Sequence, residues 1–222
     1  LGCRVNYLAL GDSITVGVDA PLGRGYVEIV GKRMKRFKPQ TCIHKICKKG
    51  IRSRELFLAL YYYPTFQQLI RQAHLISLWI GGNDLNTAYA HYRLFGNEEI
   101  FNQTITEYFH RLNNFLKWLR TYSTADVYLF TLYNPFPYDP LANRYIPKIN
   151  DVIMRAAYKH SVQIVNVYPD FKGKEAKLIA GYRSGKIEDI IPFLQKNPIH
   201  PNQLGHQVIA NHFWKTLSSK RK

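Results

Sequence analysis

Five short apolar runs recur along the chain, and most hand over to a segment of a different period. Val5-Asn6-Tyr7-Leu8-Ala9-Leu10 ends abruptly in Gly11-Asp12-Ser13. Thr41 to Lys48 is a β-type run, interrupted by Gly50. Leu75-Ile76-Ser77-Leu78-Trp79-Ile80 is apolar on both faces, as a central parallel strand should be. Val127 to Leu132 and Val162 to Val167 complete the set. Between them the spacing turns helical. A helix is expected over about Gly25 to Phe37, closed by Pro39. Ser53 is placed to cap another that carries Leu56 and Leu60 inward and stops at Tyr61-Tyr62-Tyr63-Pro64. Phe101, Ile105, Tyr108, Phe109, Leu112, Phe115, Leu116 and Leu119 form one continuous stripe, which reads as core. Ile149, Val152, Ile153, Ala156 and Ala157 mark a further amphipathic helix. Residues 168–199 are less patterned, with a short helix near Lys174 to Ala180. Asn202 is placed to cap a last helix that buries Leu204, Val208, Ile209, Phe213 and Leu217.

Strand and helix alternate throughout, which predicts an α/β fold with a parallel sheet covered on both faces. The length fits one domain over residues 1–222. Gly17 to Leu22 reads as a loop, and Tyr133 to Pro140 is too rich in proline for a helix or an inner strand.

Composition changes this picture in three places. With 46% apolar residues the chain can bury a substantial core, yet no stretch reaches the ~20 apolar residues of a membrane helix. The net charge of +16 favours anionic surfaces such as phospholipid, cell wall or nucleic acid. The basic residues are dispersed, with clusters at residues 32–38 and 45–54 and a Lys220-Arg221-Lys222 tail, and no zinc-finger or RNA-binding signature accompanies them. Nucleic acid is therefore not an expected partner. The three cysteines, Cys3, Cys42 and Cys47, are odd in number and are expected to be free thiols without a metal. Leu1-Gly2-Cys3 matches the end of a bacterial lipoprotein cleavage site over three residues only, and no leader pattern precedes the first strand.

The chemistry gathers at strand ends, which share one edge of a parallel sheet. Ser13 follows the first strand through Gly11 and is a candidate nucleophile. A serine alcohol needs a base for its proton and donors for the oxyanion it creates. His200, bracketed by Pro198 and Pro201, is the candidate base, since each proline stiffens the residue before it. His206 is weaker because it falls on the last helix. The Asn83 amide and the backbone N–H groups of Gly50 and Ser13 are candidate oxyanion donors.

Taken together, Gly11-Asp12-Ser13-Ile14-Thr15, Gly50-Ile51-Arg52-Ser53, Gly81-Gly82-Asn83-Asp84 and Asn197-Pro198-Ile199-His200-Pro201-Asn202 resemble, in order and over nearly the whole chain, the SGNH hydrolases, also called the GDSL lipase/esterase family. The resemblance implies a flavodoxin-like three-layer α/β/α sandwich around a five-stranded parallel sheet. It implies ester hydrolysis through an acyl-serine, without cofactor or metal. Ser13 would attack, His200 would shuttle the proton, and Ser13, Gly50 and Asn83 would bind the oxyanion. One position departs from the family: the usual acid, three residues before the histidine, is Asn197. Three accounts follow. Asn197 or a backbone carbonyl orients His200; another carboxylate, such as Asp189 or Asp170, reaches it; or the site is impaired.

The expected substrate is a small-molecule or lipid ester. Tyr89, Tyr92, Phe95 and the Pro135 to Tyr138 loop could form an apolar acyl groove, and the basic surface could help at an anionic membrane or wall. A carbohydrate O-acetyl esterase is the alternative within the family, and a scaffold that only binds anionic polymer or membrane is the alternative outside it. An extracytoplasmic, secreted or cell-surface bacterial setting is favoured over the cytoplasm.

Overall fold

A computed structural model of the chain describes residues 5–190 and 197–219. Leu1-Gly2-Cys3 and the Lys220-Arg221-Lys222 tail lie outside them. In chain order the elements are β1 (Val5–Gly11), α1 (Ser13–Val16), α2 (Tyr26–Phe37), β2 (Thr41–Cys47), α3 (Ser53–Tyr62), α4 (Pro64–Gln72), β3 (Leu75–Trp79), α5 (Gly82–Phe95), α6 (Glu99–Tyr122), β4 (Asp126–Phe130), α7 (Pro140–Lys159), β5 (Gln163–Val165), α8 (Tyr168–Phe171), α9 (Glu175–Leu178) and α10 (Gln203–Ser219).

The five strands form one sheet in the order β2-β1-β3-β4-β5. All four pairings are parallel. This is why β1 and β3, apart from Asn6 and Ser77, are apolar on both faces: strands covered on both faces have no solvent side on which to place polar residues. The chain proceeds from β1 outward to β2, then returns across β1 to add β3. That reversal opens a crevice outside the carboxyl ends of β1 and β3, where open α/β sheets bind their ligands.

On one face α2 packs beside α10. Phe213 of α10 is fully buried and meets Tyr7 of β1 and Tyr128 and Phe130 of β4 at centroid distances of 5.1–6.1 Å. Tyr26 of α2 packs on Trp79 and Phe130. The hydroxyls sunk into this aromatic layer are partnered, as burial requires: Tyr7 with Ser77 Oγ at 2.9 Å, and Tyr26 with Thr15 Oγ1 at 3.1 Å. On the other face the long α6 contacts α3, α4, α5 and α7, with Phe115 stacked on Phe57 at 4.4 Å.

Several sequence expectations need correction. The helix carrying Leu56 and Leu60 does end before Pro64, as expected, but Pro64 at once opens α4, and Pro140, counted with the proline-rich stretch, opens α7. A proline at the first helical position gives up only an N–H that the helix would leave unpaired. Ser53 is the first residue of α3, not its cap; Arg52 holds that place and its backbone N–H donates to Glu55. The whole of α5 escapes the periodicity reading, because only Asp84, Leu85 and Ala88 along it are buried. Cys42 is disulfide-bonded rather than a free thiol, while Cys47 is free as expected.

Candidate active site

The nucleophile candidate is set by a glycine with no room around it. A Cβ at Gly11 would collide with Thr15 Oγ1 and with the Trp79 carbonyl on the neighbouring strand. The turn beyond β1 is therefore available only to glycine. Asp12 then caps α1, its Oδ1 accepting the Ile14 N–H at 3.0 Å. Burial pushes the Asp12 carboxyl up to about 7, the Ile14 bond opposing and the nearby Asp84 charge adding. Ser13 comes next as the first residue of α1, so its backbone N–H has no partner inside the helix.

His200 reaches this serine from the far end of the chain. Its Nε2 lies 2.9 Å from Ser13 Oγ. The segment that carries it is fastened on both sides. The His200 carbonyl accepts the Ala180 N–H at 2.9 Å, and the Ile199 carbonyl accepts the Tyr133 hydroxyl. The Asn202 N–H donates to Leu178, its side-chain amide to Lys177, and its Oδ1 accepts the Gly205 N–H at 3.0 Å. Asn202 thus caps α10 as its position in the sequence predicts. Burial holds the His200 imidazole below its ordinary pKa, against an upward pull from Asp19 and with a further downward push from Lys49. A neutral imidazole at neutral pH can take a proton from the serine.

The carboxylate at the other ring nitrogen is neither of those anticipated. Asp19 Oδ2 stands 3.2 Å from His200 Nδ1. Asp189 instead accepts from Ser184 Oγ and the Gly185 N–H, and Asp170 pairs with His212 at 2.6 Å. Asn197, at the usual acid position, accepts the Ile199 N–H on its carbonyl. Asp19 is one of only 15 acidic residues in a strongly basic chain and falls in the loop opened by Gly17, just past the serine. That scarcity was the available signal.

The oxyanion candidates divide. Asn83, at the start of α5, lines the cleft with Ser13, and its amide donates one N–H to the Ile51 carbonyl at 2.9 Å. A primary amide carries two N–H groups, so a second remains for a ligand. Asp84 turns away from the cleft. It accepts the Ser53 N–H at 3.0 Å and the Ser53 hydroxyl at 2.6 Å, and pairs with Arg111. Gly50 is exposed, at φ +73°, in the turn after β2, next to the Ile51 whose carbonyl holds the Asn83 amide, and it is not among the residues lining the cleft.

The cleft encloses about 820 Å³ including its open mouth. Ser13, Asn83 and His200 sit in a wall that is otherwise largely apolar. Leu85 and Tyr89 come from α5, Phe101 from α6, Leu132, Pro135 and Phe136 from the stretch after β4, and Tyr145 and Ile146 from α7. Of the aromatic residues anticipated here, Tyr92 packs on Phe101 instead, while Phe95 and Tyr138 are exposed. Among the described residues no group of three or more His, Cys, Asp or Glu side chains is placed to hold a metal ion.

Residues 9–208 match the GDSL-like Lipase/Acylhydrolase family. The chain belongs to that family and is a carboxylic-ester hydrolase. Among curated relatives it is similar to the spore germination lipase LipC of Bacillus licheniformis, with 25% identity over 213 residues covering 93% of each chain. Among solved structures it is similar to the lipase Lip_vut3 from a goat rumen metagenome, with a TM-score of 0.81 and 24% identity over 96% of this chain and 97% of that one. A catalytic variant of Axe2, an acetylxylan esterase from Geobacillus stearothermophilus, superposes with a TM-score of 0.71 at 19% identity, over 98% of this chain and 95% of that one. These structural likenesses carry the five-stranded three-layer α/β/α fold.

Proposed function

We propose that this hydrolase acts on esters with a medium or long acyl chain, with Ser13 as nucleophile, His200 as general base and then acid, and Ser13 N–H and Asn83 as oxyanion donors. The observation that carries the reading is the apolar wall beginning beside the Ser13–His200 pair. Ser13 Oγ attacks the ester carbonyl while its proton passes to His200 Nε2. The tetrahedral oxyanion is held by the two donors, then collapses, and His200 returns the proton to the departing alcohol. Water, activated by the same imidazole, releases the acid from the acyl-serine. The name of the LipC relative also favours a lipid-like acyl group. The disulfide at Cys42 and the charge of +16 support an extracytoplasmic setting at an anionic surface.

The test is a chain-length series of p-nitrophenyl esters. Each methylene buried contributes about 0.8 kcal/mol, so three or four of them raise kcat/KM by roughly 10²-fold from acetate to the preferred chain. A maximum at acetate would instead favour the carbohydrate O-acetyl esterase. Ser13→Ala is expected to reduce hydrolysis to background with an unchanged melting temperature; retained turnover would remove Ser13 from the mechanism.

A further inference from the structure

We infer that Asp19, in the loop after α1, is the carboxylate that orients His200 for catalysis, so that the loop following the nucleophile supplies what position 197 does not. The inference rests on the roles proposed for Ser13 and His200.

Three independent observations converge on Asp19. The first is its geometry. Asp19 Oδ2 and Ser13 Oγ occupy the two nitrogens of one imidazole, at 3.2 and 2.9 Å. Only one tautomer satisfies both contacts: Nδ1–H donates to the carboxylate, and the Nε2 lone pair accepts the serine hydroxyl. The Asp19 and His200 side chains are 17% and 15% exposed, so water screens the pair little. An amide could accept the same hydrogen bond but would bring no charge to balance the imidazolium when it forms.

The second observation is that the loop is built to hold Asp19 there. The Ser13 carbonyl accepts both the Gly17 N–H and the Val18 N–H, so the loop folds back onto the nucleophile's own residue. Asp19 adopts φ +62°, a left-handed conformation that aspartate tolerates better than most residues. Such a backbone persists only where its surroundings fix it.

The third is the fastening next to it. Val18, the neighbour of Asp19, is tied by its carbonyl to Nε2 of the fully buried His206 on α10, at 3.2 Å. His206 Nδ1 accepts the Tyr26 N–H at 3.3 Å. Gly25 leaves space for this ring, since a Cβ there would press on its Cε1 and Nδ1. Serine, aspartate and histidine are thereby referred to one rigid corner between β1 and α10.

In this arrangement Asp19 is a positioning residue. It acts through His200, and the Nδ1 proton stays on the ring throughout. The charged and titratable groups around His200 are Asp19 from the loop, Lys49 from the turn after β2, and His206 from α10. Asp19 raises the imidazole pKa and Lys49 lowers it.

The experiment compares wild type, Asp19→Asn, Asn197→Ala and Ser13→Ala by kcat, KM and pH profile on p-nitrophenyl butyrate, with thermal melting of each. Asp19→Asn is near-isosteric and tolerates positive φ, so it should fold. It is expected to lower kcat by roughly 10³-fold or more with KM within about threefold. The acid limb of kcat/KM should move to lower pH, because the group that raised the His200 pKa is gone. Asn197→Ala should stay within about threefold of wild type. An active wild type with Asp19→Asn at near-normal kcat would overturn the inference alone. So would a fall in kcat with the acid limb unmoved, which would make Asp19 merely structural. A wild type indistinguishable from Ser13→Ala would overturn the site reading and this inference with it.

Discussion

The chain leaves the same edge of the sheet after β1 and again after β2, and the two exits are held by opposite means. At the first, Gly11 is enclosed by Thr15 and the Trp79 carbonyl, and the following loop is tied to the neutral imidazole of His206. At the second, Gly50 is exposed with open space where a Cβ would stand, and only its φ of +73° asks for glycine. The residues beyond it are held by charge: Asp84 accepts twice from Ser53, and Arg111 pairs with Asp84 and donates to Ser53 Oγ at 3.1 Å. One exit is sterically exact and depends on an uncharged ring. The other is torsional and ionic. The site is built on the first.

That contrast can be broken most sharply at Gly11. Gly11→Ala has a backbone carbonyl in its way, which cannot rotate aside, so it should cost roughly 3 kcal/mol or prevent folding altogether. Denaturant unfolding of the soluble fraction measures it, and a near-wild-type midpoint would show that the exit is looser than described.

A smaller effect separates the exits by pH. His206 is held near 4 against its ordinary 6.5, chiefly by burial. The unfolded chain binds this proton more readily, so the stability His206 contributes is complete above about 6.5. It is lost as pH falls from there through about 4. The loss over that window should be roughly 2–3 kcal/mol by linkage. His200, also held low, adds to the same slope. The groups around the His206 ring are the Val18 carbonyl, the Tyr26 N–H, His200, Asp19 and Lys45. Unfolding at pH 7, 6, 5 and 4 should show the decline, and His206→Gln should flatten part of it. A variant with the full wild-type slope would assign the decline elsewhere.

The smallest effect belongs to Gly50. Gly50→Ala meets no atom and should cost only about 1 kcal/mol of backbone strain, with kcat unchanged within about twofold. A large fall in kcat would return this turn to the reacting centre.

The sequence makes the first exit more legible than the second. Gly11-Asp12-Ser13 is local, and a serine placed by the turn immediately before it can be read from the turn. The strands were equally readable, because β1, β3 and β4 carry their burial in their own composition. A glycine after a strand marks a turn at Gly50, but pattern says nothing about which way the turn faces. The proline-opened helix α4 and the weakly striped α5 were hidden because their stability comes from packing against α6 or the sheet, whereas α7 showed through its stripe from Ile149 to Ala157 and only its opening at Pro140 did not. Asp19 was invisible for a longer-range reason. Its partner lies 181 residues away, and only the closing of β1 against α10 brings the two together.

The pairing of Ser13 with His200 spans 187 residues. During synthesis the segment bearing Ser13 emerges long before the one bearing His200, and domains complete their packing only when the required segments are out. Throughout that interval Ser13 is an ordinary alcohol with no base beside it. The imidazole joins it only with the last part of the chain, where α10 lodges Phe213 among Tyr7, Tyr128 and Phe130. A chain cut short before α10 would carry Ser13 without His200 beside it.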